Sequence, residues 1–198
     1  MEQIGLMKPA EITEQTIRSC QEGNTDAFNQ LFIAYKDKVY SLALHYTGDE
    51  SSATDITQNV FMTILLKIKE FRFDAGFQTW VYRIVINECL QEQRKRKRLL
   101  PFIYEEMSRI LIGESVEESF LRRQIAENVQ NIIATLTPKL RIPILLRYVE
   151  ELSYEEIAEI IGCSKGTVAS RLNTAHKILA YKLAHLENAY GERCNEDI

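Results

Sequence analysis

Apolar residues in this chain recur at steps of three and four, and no run of alternating apolar and polar residues bounded by turn residues is long enough to build a sheet. A period near 3.6 collects such residues on one side of a helix, so the chain has to bury a series of helical stripes, and an all-α fold is expected. Phe28, Leu31, Phe32, Tyr35, Val39, Leu42 and Leu44 form one core stripe, on a helix capped by Asp26 and stopped by Gly48. Ala53, Ile56, Val60, Ile64 and Ile68 form the next, opened by Asp49 or Ser51 and running to about Lys69. A shorter helix is expected ahead of them, from about Pro9 to Gln21.

The period breaks between Glu70 and Gly76, where Phe71 and Phe73 read as exposed or half-exposed loop aromatics. A fourth helix starts near Phe77 or Gln78, with Trp80 or Val81, Ile84, Val85 and Cys89 inward, and ends in Arg94, Lys95, Arg96, Lys97 and Arg98. Cations at a helix C-terminus are favoured by its dipole, so part of that basic run has a structural rationale. Trp80 reads as core rather than as a stacking platform. From Leu99 to about Ala126 the pattern weakens around Pro101, Gly113 and several acidic residues, as in a linker. Periodicity resumes at Ile125, Val129, Ile132, Ile133 and Leu136, then on a helix carrying Ile142, Ile144, Leu145 and Tyr148, and two further helices span about Ser153 to Ile161 and Ser164 to Leu186.

With 198 residues the chain can hold one medium domain or two small ones. Its longest apolar stretches fall well short of the roughly 20 residues of a membrane span, and its N-terminus is polar where a signal peptide needs an apolar core. A soluble, cytoplasmic protein is expected. Cys20, Cys89, Cys163 and Cys194 lack paired short spacings, so neither a zinc cluster nor a disulfide framework is suggested, and they read as reduced small apolar or surface residues. The net charge of −4 hides a segregation: 71–98 carries seven basic and three acidic residues, and 164–185 four basic and none acidic. Two basic islands in an otherwise acidic chain suggest two places where a polyanion is met, although charge alone fits two solvated helix faces equally well.

The second island has a recognisable local grammar. Ser153 and Glu156 form a capping-box pattern, Ile157, Ala158 and Ile161 an apolar face, Gly162 a tight turn and Ser164 the next cap, with Val168, Leu172 and Ala175 or Ile178 continuing the core. This is helix-turn-helix spacing. The second helix presents Lys165, Thr167, Ala169, Ser170, Arg171, Asn173 and Thr174 outward, side chains suited to guanine, adenine and phosphate in a major groove.

The stretches Leu152 to Ala158 and Gly162 to Leu172 resemble the fourth conserved domain of extracytoplasmic-function sigma factors of the sigma-70 family, and Asp55 to Phe61 and Phe77 to Asn87 resemble the second domain. The matches run from Asp26 to Leu186. The resemblance implies two small helical domains: a domain 2 helical bundle over 1–98 and a domain 4 helix-turn-helix over 127–187, joined by an acidic linker at 99–126 and followed by a polar tail at 188–198. It implies a transcription initiation factor that binds the β and β′ subunits of core RNA polymerase and directs it to −35 and −10 promoter elements, helping to open the −10 region. Asp55, Gln58, Asn59 and Met62 would meet the β′ clamp. Phe71, Arg72, Phe73 and Asp74 would hold a flipped −10 base, with Arg83, Asn87, Arg94, Lys95, Arg96, Lys97 and Arg98 on the opened strand. Lys165, Thr167, Ser170, Arg171, Asn173, Thr174 and Lys177 would read the −35 duplex. An anti-sigma protein, soluble or membrane-anchored, would hold the factor inactive; no catalytic residue, metal, cofactor or small-molecule substrate is implied. Ala169, Thr174 and His176 stand where the family often has basic residues and Asn59 where it often has glutamate, so an altered −35 preference and weaker phosphate anchoring are expected; Gln91 stands where aspartate is frequent, so no family role is carried over to that position.

Two other functions compete. A helix-turn-helix regulator with a sensor or dimerisation half would bind an operator tightly without polymerase. An enzyme would need a constellation that His45, His176 and His185 do not form at metal-ligand spacing, and Glu155 and Glu156 fit helix caps better.

Overall fold

The computed structural model describes residues 12–103 and 128–193, and every regular element among them is helical. Helices α1 (Glu14–Gln21), α2 (Thr25–Thr47), α3 (Glu50–Lys67) and α4 (Phe77–Ile103) form the first lobe, with a 3-10 turn at Ile68–Glu70. Helices α5 (residues 128–134), α6 (Pro138–Tyr148), α7 (Tyr154–Ile161) and α8 (Lys165–Arg193) form the second. None of the described helices is long and apolar enough to cross a membrane.

The ends of these helices follow from their caps. Asn24, rather than Asp26, caps α2: its Oδ1 accepts the N–H groups of Asp26 at 2.9 Å and Ala27 at 3.1 Å, which leaves Asp26 in the first turn where the dipole favours an anion. Gly48 ends α2 at φ 69°, a left-handed conformation that a Cβ makes costly. Of the two openings considered for α3, Asp49 is the cap, accepting the Ser52 N–H at 2.9 Å. Thr13 caps α1, which therefore begins at Glu14; Pro9 lies outside the described residues. Helix α4 continues past Arg98 through the start of the expected linker to Ile103, because Leu99 and Leu100 are good helix formers and Pro101 removes only one hydrogen bond close to the end. Helix α8 likewise outruns Leu186.

Three side-chain placements differ from the periodic reading. Phe32 is 38% exposed and Tyr148 60% exposed, so neither is core, whereas Phe71 is buried. The stripe of α2 is wider than the cleft it fills, and Phe32 stands at its edge against Phe61. The two lobes share one hydrophobic core. Helix α4 packs on α7 and α2 on α6, and Leu42, Tyr46, Ile86 and Cys89 face Ile142, Leu145 and Leu146 around a void of only about 10 Å³, at the lower limit for one water molecule.

Candidate nucleic-acid interface

Asp55, Gln58, Asn59 and Met62 occupy steps of three and four on α3 and are all exposed. Beside them Phe28, Phe32, Tyr40, Phe61 and Leu65 line, with Gln58 and Met62, an open apolar groove of about 500 Å³. Leu65 and Leu66 are more than half exposed, a concentration of apolar surface that none of the described residues covers. The periodic reading missed Leu65 and Leu66 because they fall off the buried stripe.

The loop between the 3-10 turn and α4 is tightly held. Phe71 sits in an aromatic cluster, its ring centroid 4.8 Å from Phe73, 5.2 Å from Phe77 and 5.4 Å from Trp80. Half-buried Trp80 belongs to the same cluster. Gln21 reaches across from α1 and donates from Nε2 to the carbonyls of Ile68 at 2.9 Å and Phe71 at 2.8 Å. Phe73 takes a left-handed φ of 61°, uncommon for a side chain of its size, and the Arg18 guanidinium lies 4.7 Å over its ring. Arg72 and Asp74 are exposed and paired with each other at 3.2 Å, an ion pair of little energetic weight in water.

Along α4, Asn87 is exposed and Arg83 half-buried, its Nη2 donating to the Glu159 carbonyl at 2.7 Å. Lys95 pairs with Glu92 at 3.6 Å. Arg96 meets Asp49 at 2.6 Å and the Ser52 hydroxyl at 2.5 Å, tying α4 to the start of α3. The Ser52 backbone N–H, then its hydroxyl and Arg96, hold the Asp49 carboxyl below its usual value. Arg94 points to solvent, while the side chains of Lys97 and Arg98 lie outside the described residues.

In the second lobe Ser153 and Glu156 form a complete capping box: Ser153 Oγ accepts the Glu156 N–H at 3.2 Å, and Glu156 Oε2 accepts the Ser153 N–H at 2.8 Å. These bonds hold the Glu156 carboxyl low. Gly162 turns the chain at φ 67° and Ser164 Oγ takes the Thr167 N–H at 3.1 Å. Ser153→Ala is expected to cost about 1 kcal/mol, read as a lower thermal midpoint with the fold retained; a midpoint equal to the wild type would show that the box adds nothing. On α8, Ser170, Asn173, Thr174 and Lys177 are exposed, Lys165 is paired with Glu155, and Thr167 and Arg171 are half-buried. The Thr174 hydroxyl bonds back to the Ser170 carbonyl at 2.9 Å, and His176 shares a 2.8 Å bond with the Tyr148 hydroxyl.

Sequence reasoning did not find the residues that join the lobes. Arg141 is buried; it donates to the Ala134 carbonyl, to that of Leu136 at 3.1 Å and, across the lobes, to that of Tyr46 at 3.0 Å. Burial pushes the Tyr46 hydroxyl up to about 12, and that hydroxyl donates to Gln93 at 3.0 Å. The Tyr82 hydroxyl donates to the Glu150 carboxylate. A lone arginine inside the apolar run Leu140 to Leu146 was the one available signal.

A capped helix-turn-helix with a polar, basic second helix, joined to a helical lobe bearing a further basic helix, defines a DNA-binding protein. Residues 31–99 match Sigma-70 region 2 and residues 126–179 match Sigma-70 region 4. The chain is 30% identical to the ECF RNA polymerase sigma factor SigW of Bacillus subtilis (strain 168), over 87% of its own length and 97% of that relative. It is 32% identical to the ECF RNA polymerase sigma-E factor of Escherichia coli (strain K12), over 89% and 97%. Among solved structures, CnrH in complex with the cytosolic domain of CnrY superposes with TM-score 0.67 over 88% of this chain and 99% of that one, at 19% identity. The sigma factor RpoE of Bartonella quintana, in complex with the anti-sigma factor NepR, superposes with TM-score 0.61 over 79% and 96%, at 22% identity. The chain belongs to the sigma-70 family, in its extracytoplasmic-function branch, and is a transcription initiation factor.

Proposed function

We propose that this chain binds core RNA polymerase through α3 and directs it to promoters by reading a −10 element with the loop 70–76 and α4 and a −35 element with α8. The observation that carries the reading is the division of surfaces: an apolar groove beside Asp55, Gln58, Asn59 and Met62 on α3, cationic and amide side chains on α4, and a capped recognition helix in the other lobe. Each DNA contact is modest alone, and polymerase, by fixing both readers on one duplex, makes them act at high effective concentration. The rigid loop suits capture of a flipped base, because Gln21 and Arg18 fix Phe71 and Phe73 before any DNA arrives. The first domain takes 1–98, extended by α4 to Ile103; the acidic linker spans the rest of 99–126, the second domain 127–187, and 188–198 a polar tail.

The factor works in the cytoplasm and catalyses no reaction itself. Its partners are the β and β′ subunits, promoter DNA and an anti-sigma protein, a kind of partner that RpoE of Bartonella quintana carries in its solved complex. Transcription with core polymerase on genomic promoter fragments tests the reading: factor-dependent transcripts are expected, and their absence from every fragment overturns it. Tight operator binding without polymerase would favour the simple regulator instead. Arg171→Ala is expected to weaken −35 duplex binding by about 1–3 kcal/mol and to relax preference at one base pair, measured by competition with single-base variants. Equal discrimination before and after would remove Arg171 from the readout.

A further inference from the structure

The charge on α8 is thinner than its composition suggests. Of the four cations between Lys165 and Lys182, Lys165 is paired with Glu155, Lys182 bonds the Thr135 hydroxyl at 2.8 Å and Arg171 is half-buried. Lys177 is left as the exposed cation with no partner among the described residues. Duplex affinity comes mainly from phosphate contacts, so a helix equipped in this way grips weakly unless another side chain supplies charge. His176 stands one turn beyond Asn173, on the flank of α8 that faces α6. Tyr148, the last residue of α6, meets it there: the phenol hydroxyl and Nε2 are 2.8 Å apart and the ring centroids 5.7 Å. Both side chains are exposed, so the contact adds little burial to the lobe.

We propose that Tyr148 and His176 form a proton-dependent phosphate anchor for the duplex read by α8, His176 meeting the backbone and Tyr148 holding the imidazole in position. Phosphate contacts fix a reader's register while base contacts specify sequence, and a side chain flanking Asn173 and Lys177 is placed for the first role. While the ring is neutral the phenol donates to Nε2, which puts the ring proton on Nδ1. When a second proton arrives from solvent, Nε2–H donates to the phenol oxygen and the imidazolium brings a full charge to the phosphate. Histidine is the side chain whose charge changes between pH 5 and 8. Binding at the anchor takes up that proton, so duplex affinity rises as the pH falls. The charged groups around the pair have other partners or face water. On α6, Arg147 donates to the Leu152 carbonyl at 2.9 Å and Arg141 is buried on carbonyls. After α6, Glu150 accepts from Tyr82 and Glu151 is exposed; on α7, Glu155 pairs with Lys165 and Glu156 closes the capping box. None of the described residues forms an ion pair with His176. This inference rests on α8 being a duplex reader.

The test uses the full chain at low salt and the anisotropy of a labelled duplex of about 20 base pairs of mixed sequence, because a phosphate contact is indifferent to sequence. Binding is followed over a salt series at pH 6 and at pH 8, beside a thermal melt of each protein. At pH 6 the wild type is expected to bind about fivefold tighter than His176→Gln, with a salt slope steeper by about one, and at pH 8 the two are expected to agree within about twofold. His45 and His185 remain in both proteins, so the difference isolates one ring. His176→Arg is expected to show the steep slope at both pH values. Tyr148→Phe keeps the ionisable ring and is expected to bind about threefold more weakly at pH 6 with the added slope retained, since it loses position rather than charge. A His176→Gln protein that keeps the wild-type change of slope with pH overturns the anchor, and wild-type binding by Tyr148→Phe at both pH values overturns the pairing. Lys177→Ala distinguishes these failures from a deeper one. If it weakens binding, α8 is on the duplex and only the anchor has failed; if neither it nor any change at His176 moves binding, or the chain binds no duplex at either pH, what fails is α8 as a duplex reader.

Discussion

Met62→Asp is expected to lower affinity for core polymerase by about 2–4 kcal/mol, roughly 30- to 1,000-fold, with little change in the stability of the free chain. Met62 is 56% exposed, so the free protein loses almost no burial when it is replaced. A bound partner that covers the groove formed with Phe32, Phe61 and Leu65 would desolvate the new carboxylate, and the residues lining that groove include no cation to pair with it, only the amide of Gln58 and the hydroxyls of Tyr40, Thr54 and Thr57. The intrinsic cost of aspartate within α3 is only about 0.5 kcal/mol. Titration of labelled protein with core polymerase, beside a thermal melt, separates the two effects. Leu65→Asp, one turn on, is expected to act likewise. Wild-type polymerase affinity in both proteins would move the docking surface off α3.

Much of this architecture could be read from the chain because helices announce themselves locally. Leu31, Val39 and Leu42 are buried where a period of 3.6 puts them, and Gly48 and Gly162 both take the left-handed conformation expected at a helix end. Positions at the edge of a stripe are decided by what packs beside them, which is why Phe32 and Tyr148 were misplaced and Phe71 was read as open. Asn24 won the cap of α2 from Asp26 because both can fill that role and only the entering backbone chooses. The polar residues on the exposed faces of α3 and α8 were legible as the remainder of amphipathic helices, but the exposed Leu65 and Leu66 of α3 were not. The contacts of Gln21 with residues 47 and 50 positions away, and of Tyr82 with Glu150 across 68, leave no periodic trace. The inner surface of each lobe was therefore readable, and the contact between lobes was not.

The depth of that contact bears on the second large effect. Leu172 is 1% exposed in α8, which packs on α6 and α7, and Leu172→Ala is expected to cost about 2–5 kcal/mol from lost transfer energy and the cavity left behind. Against a typical total of about 5–15 kcal/mol this threatens the whole second lobe, and the recognition helix loses its bearing on α6 and on Ile157 of α7 before the first lobe is touched. Hydrogen exchange is expected to show the loss first in the amides of α7 and α8, with those of α2 and α3 still protected. On the proposed assignment of α3 to polymerase and α8 to the −35 duplex, polymerase binding would then survive while duplex binding fails. A single loss of protection in every helix would mean instead that the shared core makes the two lobes one cooperative unit, because the contacts of Ile142, Leu145 and Leu146 with the first lobe carry strain from α8 into α2 and α4. Unchanged protection throughout would mean that α8 is held by its own helical propensity rather than by the apolar residues beneath it.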